Sequence, residues 1–170
     1  MESIPKENWP LPNEFLLELG RLTSLWTSIE DQIIVSIGKL AGYDRLTDMR
    51  PFILVKHSSF QQKLDILSSL CEHLVGQFPR LRDYKKVISE IKAVQSSRNL
   101  YVHNSLVLNE DGKTVELVLG SARGKLKTSI EPVHLEDIQK VSLDISRTLR
   151  NLHRLITGQD RSPSWEKDSG

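Results

Sequence analysis

The sequence predicts a mainly α protein: four long helices in an up-down bundle, with a small antiparallel β insertion between the third and fourth. Three observations carry this. Apolar residues recur at three- and four-residue spacing in four long stretches. The period switches towards two just after His103. Asp111-Gly112, set between two β-prone runs, is a strong hairpin signal. At 170 residues, 38% hydrophobic and 26% charged, the chain suits one soluble domain with a full core. The expected organisation is a flexible lead over 1–12, the helical domain over 13–157 with its β insertion at about 105–131, and a disordered tail over 158–170.

The first helix runs from about Glu14 to Leu40, with Asn13 as cap and Gly42 as stop. Leu22, Leu25, Ile29, Ile33 and Leu40 mark its core stripe. Beside it, Trp26, Glu30, Ile33 and Ile37 share a face, so Glu30 is a carboxylate among apolar neighbours and needs a partner. Residues 43–57 form a connector that can hold a short helix. The second helix opens at Ser58 or Ser59, where Ser59-x-x-Gln62 has capping-box spacing. Phe60, Leu64, Leu67, Cys71, Leu74 and Phe78 form its stripe, and Gln77-Phe78-Pro79 breaks it. Lys63 shares a face with Phe60, Leu67 and Leu74, and a snorkelling lysine is the favoured reading.

The third helix runs from about Leu81 to Val102. Arg80, Arg82, Lys85 and Lys86 crowd its start, as a solvated end or, less favoured, a phosphate patch. Strands are expected at 105–108, 114–119 and 125–130. Arg123, Lys125 and Lys127 form an acid-free basic run read as an RNA-binding segment. The fourth helix spans about 135–157, with His134 and Asp137 at its start and Gly158 at its stop.

Several functions are excluded or disfavoured. No apolar run reaches the roughly 20 residues a membrane span needs. Met1–Pro12 lacks an apolar signal core, so no secretory targeting is expected. The single cysteine, Cys71, rules out an internal disulfide and suits a cytoplasmic setting. A net charge of +1 confines any RNA contact to a local patch. No metal-ligand spacing, dinucleotide fingerprint, P-loop or nucleophile elbow is present, so no metal or cofactor is expected.

The chemistry concentrates in Ser97–Ser105, at the end of the third helix. Val87, Ile91, Val94 and Arg98 follow one face, so Arg98 points where the helix packs. Something must pair with it there: a carboxylate, a second subunit or a phosphate. Asn99 and His103 share a face at i and i+4. Arg98 and His103 lie about 140° apart on an ideal helix. They converge only if the helix distorts at its end or a second chain supplies one of them, and the dimer is the simpler solution. The alternative for His103 is a histidine that caps or packs the helix end.

Arg98-Asn99-x-x-x-His103 on the third of four helices, with a β-prone insertion before the last, resembles the HEPN superfamily and its Arg-x(4–6)-His motif. Glu30 and the Phe60-x-x-Lys63 element also look like features of that family, and the resemblance covers about 13–157. It implies a homodimer and metal-independent RNA cleavage of toxin or phage-defence type, with a possible antitoxin partner. Arg98, Asn99 and His103 would be catalytic, supported by Glu30, Lys63 and Tyr101. The alternative is a HEPN-like dimerisation or nucleotide- or RNA-binding module, in which Arg98 pairs with Glu30 structurally. Some HEPN toxins carry a tyrosine two residues after the histidine, where a partner nucleotidyltransferase modifies it. Ser105 stands there and Tyr101 lies inside the motif, so that mode of neutralisation is not expected.

Overall fold

The structure, a computed structural model, describes residues 10–43, 45, 48–121 and 127–160. The first helix, α1 (Asn13–Leu40), is secured at its start by the Pro12 carbonyl, which accepts from the N–H groups of Phe15 (3.0 Å) and Leu16 (3.2 Å). It stops at Gly42, whose φ of 88° a side chain would resist. The connector holds the short α2 (Arg50–Val55), with Pro51 in its first turn. Next comes α3 (Phe60–Leu74), entered through the expected capping box: Ser59 Oγ accepts from the Gln62 N–H at 3.2 Å, and Gln62 Oε1 accepts from the Ser59 N–H at 2.8 Å.

This helix is shorter than its apolar stripe suggests. The Leu74 carbonyl accepts from the N–H groups of both Gln77 and Phe78, and the chain turns there. Phe78 is left outside the helix. A 3-10 turn (Pro79–Asp83) follows, then α4 (Tyr84–Val102). Leu81, expected to open the helix, lies in the turn and is fully buried. After α4 come β1 (Ser105–Leu108), β2 (Val115–Ser121) and β3 (Lys127–Val133), and the chain re-enters a helix in α5 (Leu135–Thr157). At its start the Asp137 carboxylate accepts from the His134 N–H at 3.2 Å, and Gly158, at φ 72°, follows its end. The described residues are thus mainly helical, with one small antiparallel sheet in the order β1-β2-β3. None of their helices is long and apolar enough to cross a membrane.

Two compact units divide the chain: Met1–Ser24 with Val94–Asp144, and Leu25–Ala93 with Ile145–Gly170. The first holds the start of α1, the end of α4, the sheet and the first part of α5. Strand alternation gives its sheet two unlike faces. Val115, which pairs with Val133, and Leu117, which pairs with Leu106, are buried; Val107 and Ile130 on the other face are exposed. The Asp111-Gly112 turn joins β1 to β2, with Gly112 at φ 68°. The Asp111 carboxylate accepts from the N–H groups of Lys113 (2.8 Å) and Thr114 (2.9 Å), and these bonds hold it below the usual carboxylate range. The third strand, described from Lys127, ends at Val133, beyond the end its alternation suggests, and the Val133 side chain is buried.

In the second unit the Trp26 and Phe60 rings lie 4.9 Å apart, tying α1 to α3. Gly38 lets α2 approach α1: a Cβ there would sit 2.6 Å from Pro51 Cγ. Cys71 is fully buried, and burial pushes its thiol up to about 11, which makes it an inert core residue.

Candidate functional site

The last helical residue of α4 is Val102, and the His103 N–H still donates to the Asn99 carbonyl at 3.1 Å. His103 therefore sits one step past the helix with its ring exposed to solvent. Arg98 and Asn99, a turn earlier, are half-buried. Arg98 Nη1 donates to Asn99 Oδ1 at 3.1 Å and lies 3.3 Å from His103 Nε2. With the ring neutral and its proton on Nδ1, that nitrogen accepts from the guanidinium. The three motif residues thus gather on one nitrogen atom of one chain.

Of the two routes open to Arg98 and His103, a helix that gives way at its end or a second chain, this contact takes the first. The 140° separation describes where the Cα–Cβ bonds point. An arginine is long enough to curl around the end of a helix, and His103 has already left it. Asn104 steadies the exit through its side-chain amide, which donates to the Leu100 carbonyl at 2.9 Å.

Tyr101 is also half-buried but stands apart from this cluster. Burial, and then the charge of Asp137, raise its phenol above the usual range. Glu30 and Lys63 belong to the second unit. Glu30 is half-buried. Lys63 is 9% exposed. Arg123 and Lys125 lie outside the described residues, as does the side chain of Lys127.

The buried carboxylate of α1 is Glu18, which the sequence reading passed over. It is 2% exposed and accepts from Ser142 Oγ on α5 at 2.5 Å and from the Arg21 guanidinium. Phe15, Glu18 and Leu22 continue the apolar stripe towards the N-terminus, so spacing marks Glu18 as a candidate as it does Glu30.

Two of the cations at the start of α4, Arg80 and Lys85, have local partners. Arg80 Nε donates to the Ile156 carbonyl at 3.1 Å, near the end of α5, and its guanidinium lies 4.6 Å from the Phe78 ring centre. Lys85 is 3.9 Å from the Glu72 carboxylate. A cleft of about 680 Å³ between Lys39, Leu74, Phe78, Arg80 and Ile156 lies where α1, α3 and α5 end, so its cations complement helix C-termini. Among the described residues, no group of three His, Cys, Asp or Glu side chains could hold a metal ion. No protein-family model matches the chain, and no curated protein or solved structure does.

Proposed function

We propose that the chain is a HEPN-like endoribonuclease of toxin or phage-defence type that cleaves RNA by attack of a 2′-hydroxyl, without a metal. One observation carries this reading: the Arg98 guanidinium, the Asn99 amide and the His103 imidazole converge at the solvent-exposed end of α4. An arginine there can hold the equatorial oxygens of a pentacoordinate phosphate. The imidazole can take the 2′-hydroxyl proton or hand one to the leaving 5′ oxygen. Asn99 orients the guanidinium. The order of the four long helices, with strands before the last, agrees with the HEPN bundle that the motif suggests. In this reading the chain pairs as a homodimer in the cytoplasm and is restrained by an antitoxin.

Purified chain incubated with structured and unstructured RNAs should leave 2′,3′-cyclic phosphate and 5′-hydroxyl ends, at a rate unchanged by chelator. Ends of any other type, or an uncut panel, would sink the proposal. A second reading, a binding module, is favoured by the same bonds: a guanidinium held by its own chain is also what a structural cluster looks like. Retention of RNA or a nucleotide by uncut wild type, lost on Arg98→Ala, would select it.

A further inference from the structure

Two clefts of the second unit share one lining residue, Arg80. Its Nε donates to the Ile156 carbonyl at 3.1 Å, and its guanidinium lies 4.6 Å from the centre of the exposed Phe78 ring. Those contacts set the plane of the group and use only its Nε edge. Nη1 and Nη2 have no hydrogen-bond partner among the described residues, and Arg80 is exposed. An arginine held this way offers a pre-set fork to an oxyanion. Of the four cations that crowd the start of α4, Arg80 and Lys86 line these clefts, while Lys85 stands beside Glu72.

The larger cleft, about 680 Å³, is lined by Lys39, Gln77, Phe78, Arg80 and Gln159, and by no carboxylate among the described residues. The smaller, about 270 Å³, adds Lys86 and Arg154. Asp83 and Glu90 line it as well, and Glu90 is tied into a network: it accepts from the Asn151 amide at 2.8 Å, whose oxygen accepts from Arg154 at 3.4 Å. Four cations, Lys39, Arg80, Lys86 and Arg154, thus face two carboxylates across the pair of clefts. One small anion would need one cluster of cations. Cations spread over adjoining clefts suit a ligand whose negative charges repeat. An aromatic ring with an arginine stacked on it, set among cations and amides, is the combination that holds single-stranded nucleic acid. We propose that a single-stranded stretch of RNA lies across Arg80, with one phosphate on its fork and neighbouring phosphates on Lys39 to one side and on Lys86 and Arg154 to the other. RNA as the polymer rests on the ribonuclease reading; the anion site rests on the two clefts. The Arg98 cluster belongs to the first unit, so these contacts hold substrate and break no bond.

The test measures binding of a 2′-O-methyl oligoribonucleotide of mixed sequence, which lacks the attacking hydroxyl, by fluorescence anisotropy over a series of salt concentrations. Arg80→Ala should weaken binding about tenfold, the low end for a hydrogen bond to a charged group. It should also reduce the slope of log affinity against log salt by about 0.7, the value for one phosphate contact on a single strand. Lys56→Ala removes the same charge from α2, lines neither cleft and should leave the slope where it was. If Arg80→Ala does not fold, Lys39→Ala and Lys86→Ala take its place, each with the same expected change in slope. Backbone amide resonances of Gln77 and Gln159 in ¹⁵N-labelled wild type place the ligand, and the oligonucleotide should move them. Slopes unchanged by the cleft variants, or amides that stay still, would overturn the proposal. So would a mononucleotide that binds as tightly as the strand, which marks a pocket for one nucleotide. A polyglutamate peptide that moves those amides where the oligonucleotide does not would overturn it in favour of an acidic protein partner. A wild type that cuts no RNA but holds the oligonucleotide through Arg80 defeats the ribonuclease reading alone, and a wild type that cuts RNA with slopes indifferent to Arg80 defeats this proposal alone.

Discussion

Glu18 and Arg98 each put a charge on the apolar stripe of a helix in the same unit, and the two clusters around them differ in their access to water. Glu18 is sealed at 2% exposure, with Ser142 Oγ and Arg21 supplying its hydrogen bonds. Arg98 leads outward, through Asn99, to an exposed imidazole. A sealed polar group whose bonds are satisfied can stabilise and orient elements, here α1 against α5, but has no path to a ligand. A polar group at the surface adds little to stability and is free to exchange its partner. The difference separates a stability residue from a chemistry residue without reference to any motif.

That contrast is broken most directly on the sealed side. Glu18→Ala leaves the Ser142 hydroxyl buried without its acceptor. It should cost about 3 kcal/mol, the low end for breaking a buried ion pair, because Arg21 is half exposed. Urea unfolding measures it, and a loss below about 1 kcal/mol would show that the cluster is not structural. Two glycines of α1 sharpen the point that local surroundings decide. Gly38→Ala drives a methyl group into Pro51 and should destabilise by about 1–3 kcal/mol. Gly20→Ala meets nothing within 4 Å and should stabilise by about 0.5–1 kcal/mol. Thermal melts should therefore move in opposite directions, and a common direction would contradict the packing at Pro51.

The smallest effect belongs to the hairpin. Asp111 is exposed, and hydrogen bonds from Thr114 and Lys113 lower its folded pKa. Its contribution is therefore present above the unfolded carboxylate value, about 3.9, and is lost as pH falls through the lower folded value. Amide exchange at Lys113 and Thr114, corrected for the intrinsic pH dependence, should lose protection over that window in wild type and show no such step in Asp111→Asn.

Much of this was legible in the sequence, for reasons that differ by element. The capping box at Ser59, the turn at Gly112 and the limits of α5 at Leu135 and Thr157 are set by side chains that act locally. The end of α3 was not: Phe78 keeps the apolar spacing, yet backbone bonds to Leu74 turn the chain before it is reached. For Glu30 and Glu18, both carboxylates fall on apolar spacing, but burial depends on what packs opposite, and periodicity within one helix does not report that. For Arg98 and His103 the spacing left two routes to convergence, a distorted helix end or a second chain, and ideal Cα directions could not choose between them; the length of an arginine and the exit of the chain at Val102 bring the two together in one chain.

The central claim is that the open cluster does chemistry while the sealed one holds the fold. One paired measurement on His103→Ala tests it: the RNA cleavage rate beside the melting temperature. The account predicts a loss of at least about a hundredfold in rate, the usual worth of a general acid–base group, at an unchanged melting temperature. Cleavage that survives the substitution, or that falls only in step with stability, would contradict it.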